Sequence, residues 1–268
     1  SSDLKFNKKL GVKKMASSAK QNKFEQARTK LALSSVPQHL PCRAEEIARV
    51  HASLCRAIEQ QKGLTMYIAG ETGTGKTAVV CEVLRLLQEQ LGEDTPFKPI
   101  FINAMKLKTP ADAYKKLYTL ISATSGAASP SGKKRKTTTK KRGTTVTRKN
   151  IATFLANTFA KSKASRPYIV VVIDELDFLV TKGQQEIYEF FNWPQYPTSK
   201  LCVIGIANTV NLPEQLIPKI ASRLEMTERI SFQAYKYEQI SEILMDRVKD
   251  LNVFDNKAID FCSKKVAS

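Results

Sequence analysis

Gly70-Glu71-Thr72-Gly73-Thr74-Gly75-Lys76-Thr77 satisfies the pattern G-x-x-x-x-G-K-[ST] with no mismatch. The residue types suit a chain of phosphates. Backbone N–H groups can wrap a triphosphate closely only where no Cβ intrudes, which Gly70, Gly73 and Gly75 allow. Lys76 can then reach the β- and γ-phosphates as a point charge, the Thr77 hydroxyl can ligate Mg²⁺, and a following helix points its N-terminal dipole at the anion. Glu71, Thr72 and Thr74 complete the loop, and a nucleotide is the ligand expected of it.

A second set of groups ends hydrophobic runs. Ile169-Val170-Val171-Val172-Ile173 leads into Asp174-Glu175-Leu176-Asp177, which puts carboxylates at the carboxyl end of a buried strand, where open α/β sheets bind ligands. Asp174 is suited to hold Mg²⁺, directly or through water, and Glu175 to polarise an attacking water. The competing reading is that these acids cap the next helix. Their position about a hundred residues after a phosphate loop favours the catalytic one. Leu201-Cys202-Val203-Ile204-Gly205-Ile206-Ala207 ends in Asn208-Thr209. Asn208 is suited to hydrogen-bond the γ-phosphate or the lytic water, or else is a turn residue.

The elements that must hold these groups are an alternating series of strands and helices. Leu64–Ala69 predicts a strand before the loop, and Ala78, Val79, Val83, Leu84, Leu87 and Leu91 repeat at helical spacing up to Gly92. Ile47, Val50, Leu54 and Ile58 mark an earlier helix, and a short one is expected from Lys23 to Leu33. Further strands are expected at Lys98–Ile102 and Ile230–Phe232, and further helices at Ala111–Ile121, Ile151–Phe159, Gln185–Phe191, Leu216–Leu224 and Ile240–Leu251. Trp193 is expected in the core or at an interface rather than in catalysis. A last stripe, Ile259, Cys262 and Val266, stops at Ser268 as a truncated unit.

The net charge of +18 is concentrated in two appendages. Residues 1–30 carry +7 and residues 124–150 carry +9, leaving +2 for the rest of the chain. The appendages are expected to be disordered and to meet a polyanion, or to be solvated tails or import signals. Domains are placed at 1–23 (basic tail), 24–232 (α/β body), 122–150 (basic insertion within it) and 233–268 (start of a helical unit). The Lys133–Lys136 and Lys140–Arg142 runs resemble nuclear-import signals, and Ser129-Pro130 is a minimal phosphorylation site. Five scattered cysteines without a C-x-x-C pair point to a reducing compartment without structural zinc. No apolar run reaches the ~18–20 residues of a membrane span, and no secretory signal is expected, so no membrane partner is implied.

Taken together, the motifs resemble those of AAA+ ATPases. Val36-Pro37, Leu40-Pro41-Cys42-Arg43, Asp174-Glu175-Leu176-Asp177, Asn192-Trp193-Pro194, Ile206-Ala207-Asn208-Thr209, Leu212-Pro213-Glu214 and Ala221-Ser222-Arg223-Leu224 are similar to those of the replication-initiator clade. Within it they resemble the family of largest subunits of the eukaryotic origin recognition complex. The resemblance implies an AAA+ core with a five-stranded parallel sheet flanked by helices, followed by a helical lid. It implies ATP between subunits, with Lys76 and Thr77 on phosphate and Mg²⁺, Asp174 and Glu175 as the acidic motif, and Asn208 as first sensor. Arg223 would be an interface arginine facing a neighbour's nucleotide, whereas without the family it reads as a surface residue. Val36, Leu40, Pro41 and Arg43 would lie near the adenine.

The implied partners are the other origin recognition complex subunits, a loader ATPase, the replicative helicase and double-stranded DNA through the basic segments. The implied compartment is the nucleus. Glu71-Thr72 departs from a Val-Pro pair frequent in the family, the 122–150 insertion is longer and more basic than expected, and a second sensor arginine would lie past Ser268. Two rival functions are a paralogous loader ATPase and a DNA-binding assembly module in which ATP is structural. A protein remodeller would need a pore-loop aromatic, but Tyr114 and Tyr118 read as helix face.

Overall fold

The computed structural model describes residues 23–32, 40–92, 97–124, 148–161, 166–180, 184–209, 212, 216, 218–225 and 228–267. Expectations for residues 1–22, Val36, Ser129 and most of the basic insertion lie outside that set. The chain divides into two units, Glu45–Gln233 and a smaller one of residues 1–44 with 234–268.

The larger unit is built on five strands, β1 (Leu64–Gly70), β2 (Phe97–Asn103), β3 (Tyr168–Asp174), β4 (Leu201–Ala207) and β5 (Glu228–Phe232). All pair in parallel, in the order β2-β3-β4-β1-β5. Strands β3 and β4 are buried nearly end to end, as their unbroken β-branched and apolar runs require of strands covered on both faces.

Successive side chains alternate between those faces. One set, including Tyr67, Ile102, Val171, Ile173 and Val203, joins helices α4 (Asp112–Thr124), α5 (Arg148–Ala160) and α6 (Gln185–Asn192) in one hydrophobic cluster around Trp193. The alternate set, including Met66, Ile68, Val172 and Ile204, is equally buried. Helix α2 (Ala44–Glu59) buries Val50, Leu54 and Ile58, and α3 (Lys76–Leu91) buries Val79, Val83 and Leu87. Each such fully buried side chain stabilises the fold by about 1.5–3 kcal/mol.

All five expected strands form, each within two residues of its expected limits. The helices differ more at their ends. Helix α4 continues through Thr124 and α5 begins at Arg148, so both ends of the expected 122–150 insertion are helical. Helix α7 (Pro218–Glu225) starts two residues later than expected, because the residue before a proline is driven out of the helical region.

In the smaller unit, the first helix, α1, spans residues 23–30, shorter than expected. It accompanies α8 (Tyr237–Val248) and α9 (Asn256–Ala267). Lys30 Nζ donates to Asp250 Oδ2 at 3.2 Å, Cys42 Sγ to Glu242 Oε2 at 3.1 Å, and the Arg43 guanidinium lies 4.1 Å from the centre of the Tyr235 ring. Lys30, Cys42 and Arg43 therefore pack with the C-terminal segment, in the unit that also holds residues 234–268.

Candidate functional site

Strand β1 delivers the glycine-rich loop directly to the N-terminus of α3. Gly70 passes so close to β5 that a Cβ there would sit 2.5 Å from the Phe232 carbonyl oxygen. Gly75 holds φ 86° at the N-cap, a left-handed conformation that costs other residues about 1–2 kcal/mol. Helix α3 has neither a capping side chain nor an acid in its first turn. Its first N–H groups and dipole are left for an external anion.

Lys76 is 6% exposed, and its Nζ donates to the carbonyls of Gly70 and Glu71, both at 2.7 Å. Thr74 Oγ1 donates to the Glu71 carbonyl at 2.8 Å and braces the same turn. Burial pushes the Lys76 ammonium below the usual lysine range, opposed by the nearby carboxylates Glu175, Asp174 and Asp177. Thr77 Oγ1 donates to Asp174 Oδ1 at 3.1 Å. That hydroxyl and carboxylate supply the oxygen donors a hard cation takes, so they would be the groups to hold Mg²⁺. Among the described residues no three His, Cys, Asp or Glu side chains gather into a separate metal site.

Glu175 follows β3 in the left-handed region, at φ 58° and ψ 47°. For a residue with a Cβ this is a strained conformation, and such strain clusters at working sites. Asn208 Nδ2 donates to Glu175 Oε2 at 2.6 Å, across 33 residues of sequence. Thr72, Gly73, Gly75, Lys76, Thr77, Asp174, Glu175 and Asn208 line one pocket. All eight are residues assigned from the sequence to phosphate, metal or catalysis.

Leu40, Pro41 and Arg43 belong to the smaller unit, and Val36 is outside the described residues. Arg223 lies on α7, with its side chain outside the described set. Two polar residues were missed. Asn103 ends β2 in register with Asp174, and its Oδ1 is buried without a hydrogen-bond partner. The signal that pointed to Asn208, a polar residue closing a buried strand, was present there too. Asp177 was quoted only as part of a motif, yet it accepts the Asn208 backbone N–H at 2.8 Å.

The sequence profile of the AAA ATPase domain matches residues 39–204. The chain belongs to the AAA ATPase family. This AAA ATPase is 38% identical to "Origin recognition complex subunit 1" of Debaryomyces hansenii over 98% of the chain and 30% of that relative. It is 36% identical to "Origin of replication complex subunit 1" of rice over 97% of the chain and 31% of the relative. The AAA ATPase chain thus spans just under a third of the length of these relatives. Among solved structures it resembles a chain of "Structure of Drosophila ORC bound to DNA", with TM-score 0.74 and 32% identity over 92% of this chain and 56% of that one. The expected AAA+ core is therefore the observed one.

Proposed function

We propose that this AAA ATPase domain works within an origin recognition complex, binding ATP with Mg²⁺ at a subunit interface so that assembly on double-stranded DNA and helicase loading depend on nucleotide. The observation that carries the ATPase reading is the 2.6 Å contact between Asn208 and Glu175 in the pocket that also holds Lys76, Thr77 and Asp174. The names of the relatives and the Drosophila structure support the choice of complex.

In this reading the loop N–H groups and Lys76 bind the β- and γ-phosphates. Glu175 orients the attacking water and takes its proton, and Asn208 holds that carboxylate in place. Thr77 and Asp174 would hold Mg²⁺, whose chemistry is to neutralise charge on the phosphate oxygens. Arg223 serves the site of a neighbour, and turnover here is slow until another subunit supplies the matching arginine, because a guanidinium given in trans stabilises transition-state charge. Val36, Leu40, Pro41 and Arg43 are assigned to the adenine end by resemblance. The tail and insertion add salt-sensitive contacts to the DNA backbone. Loader ATPase and replicative helicase are the downstream partners, and the nucleus is the compartment.

ATP affinity and turnover, measured with and without neighbouring origin complex subunits, test the proposal. Lys76→Ala should weaken ATP binding by roughly a hundredfold or more, and Glu175→Gln should keep affinity while turnover falls by about a hundredfold. Affinity like that of the wild type in Lys76→Ala would sink the assignment. Turnover unaffected by any partner would remove the composite site.

A further inference from the structure

Asp177 stands outside the chemistry proposed above, yet both of its carboxylate oxygens are engaged by the end of β4. Oδ2 accepts the Asn208 backbone N–H at 2.8 Å, and Oδ1 accepts the Thr209 hydroxyl. From the other side the Tyr67 hydroxyl donates to the Thr209 carbonyl at 2.7 Å. Tyr67 is 2% exposed on β1, the strand that runs into the phosphate loop. Asp177 sits in the short turn after β3, the strand that ends in the acidic pair. Asn208-Thr209 is thus gripped between the strand that leads to the phosphates and the strand that leads to the catalytic carboxylate.

The grip has a physical purpose. Asn208 is the first residue past β4, where ladder hydrogen bonds no longer hold the backbone, and its side chain must stay within reach of Glu175. Carboxylate to backbone N–H bonds are about twice as strong as neutral ones. Misplacement by about 1 Å in such a site can cost a hundredfold in rate.

We propose that Asp177 and Tyr67 are positioning residues that hold Asn208 against Glu175, so that they govern ATP turnover and leave ATP binding unchanged. The proposal rests on the reading of Glu175 and Asn208 as turnover residues.

Two measurements test it. The first is ATP affinity and turnover in the presence of neighbouring subunits. Asp177→Ala should lower turnover about tenfold, the worth of one charge-assisted hydrogen bond, and Tyr67→Phe about threefold. Affinity should stay within about twofold in both. Asp177→Asn, which retains one acceptor oxygen, should recover part of the rate. The second is amide hydrogen exchange at Asn208 without nucleotide, which should quicken about tenfold in Asp177→Ala.

Unchanged exchange at Asn208 in both variants overturns the clamp, whatever the activity. So does an affinity loss as large as the turnover loss. A wild-type chain that neither binds nor hydrolyses ATP while exchange still quickens would instead sink the ATPase reading and leave the clamp standing. If Asp177→Ala does not fold, Tyr67→Phe carries the test, because it removes a single hydroxyl.

Discussion

At the carboxyl end of the parallel sheet, Lys76, Thr77, Asp174, Glu175 and Asn208 meet in one pocket. Gly75 and Glu175 adopt left-handed backbone there, and α3 begins without a side-chain cap. At the amino end an aromatic cluster does the packing. Trp193 lies 5.2 Å from Phe190, 5.5 Å from Phe159 and 5.7 Å from Tyr114 between ring centres. The Tyr168 hydroxyl satisfies the Lys62 carbonyl at 2.7 Å, and Gly63 lies directly against Pro194. One end keeps desolvated charge, strained residues and an open helix terminus. The other buries apolar surface around Trp193, so stability and chemistry are supplied from opposite ends of the same strands.

Substitutions at the two ends should therefore separate. Trp193→Ala should cost the most stability, about 3–5 kcal/mol by chemical denaturation, while the fraction still folded binds ATP with unchanged affinity. A fall in intrinsic affinity would break the division. Asn208→Ala should do the reverse, lowering turnover by about a hundredfold with the melting temperature essentially unmoved. Gly63→Ala comes next. Its Cβ would lie 1.7 Å from the Pro194 carbonyl oxygen, and the forced backbone shift should cost about 1–3 kcal/mol, again read as stability rather than affinity.

The smallest effect lies in pH. Burial lowers the Lys76 pKa from its ordinary 10.5, so between the lowered value and 10.5 the unfolded chain binds more protons than the folded one. The contribution of this group to stability therefore rises with pH through that window. ATP affinity falls over the same window as the ammonium is lost. Comparison of wild type with Lys76→Met, by denaturation and by ATP binding across alkaline pH, should give those opposite slopes. Parallel slopes would mean that Lys76 is not the titrating group.

Much of this division was legible beforehand, and its gaps have identifiable causes. The strands could be read because Ile169–Ile173 and Leu201–Ala207 are apolar throughout, and the phosphate loop because its glycines recur at fixed spacing. Helix limits such as the start of α7 shifted because local propensity competes with proline and tertiary packing. Asp177 passed as one more acid of a run and Tyr67 as one more apolar strand residue, since neither carries a signal of the partner it meets across the sheet. That Lys30, Cys42 and Arg43 find their partners on the C-terminal segment, more than 190 residues later, carries no local signal in the sequence either.

What the sequence alone determined is local. Period-two and period-3.6 apolar patterns, the glycines of the loop and the polar residues closing each strand follow from backbone sterics and from the side chains beside them. Tertiary structure decided which strands lie side by side. Strand β4 sits between β3 and β1, so Asn208 reaches Glu175 across 33 residues and Tyr67 reaches Thr209 across 142. Strand order follows from which faces the helices can cover together, a property of the whole packed chain that no stretch of it carries alone.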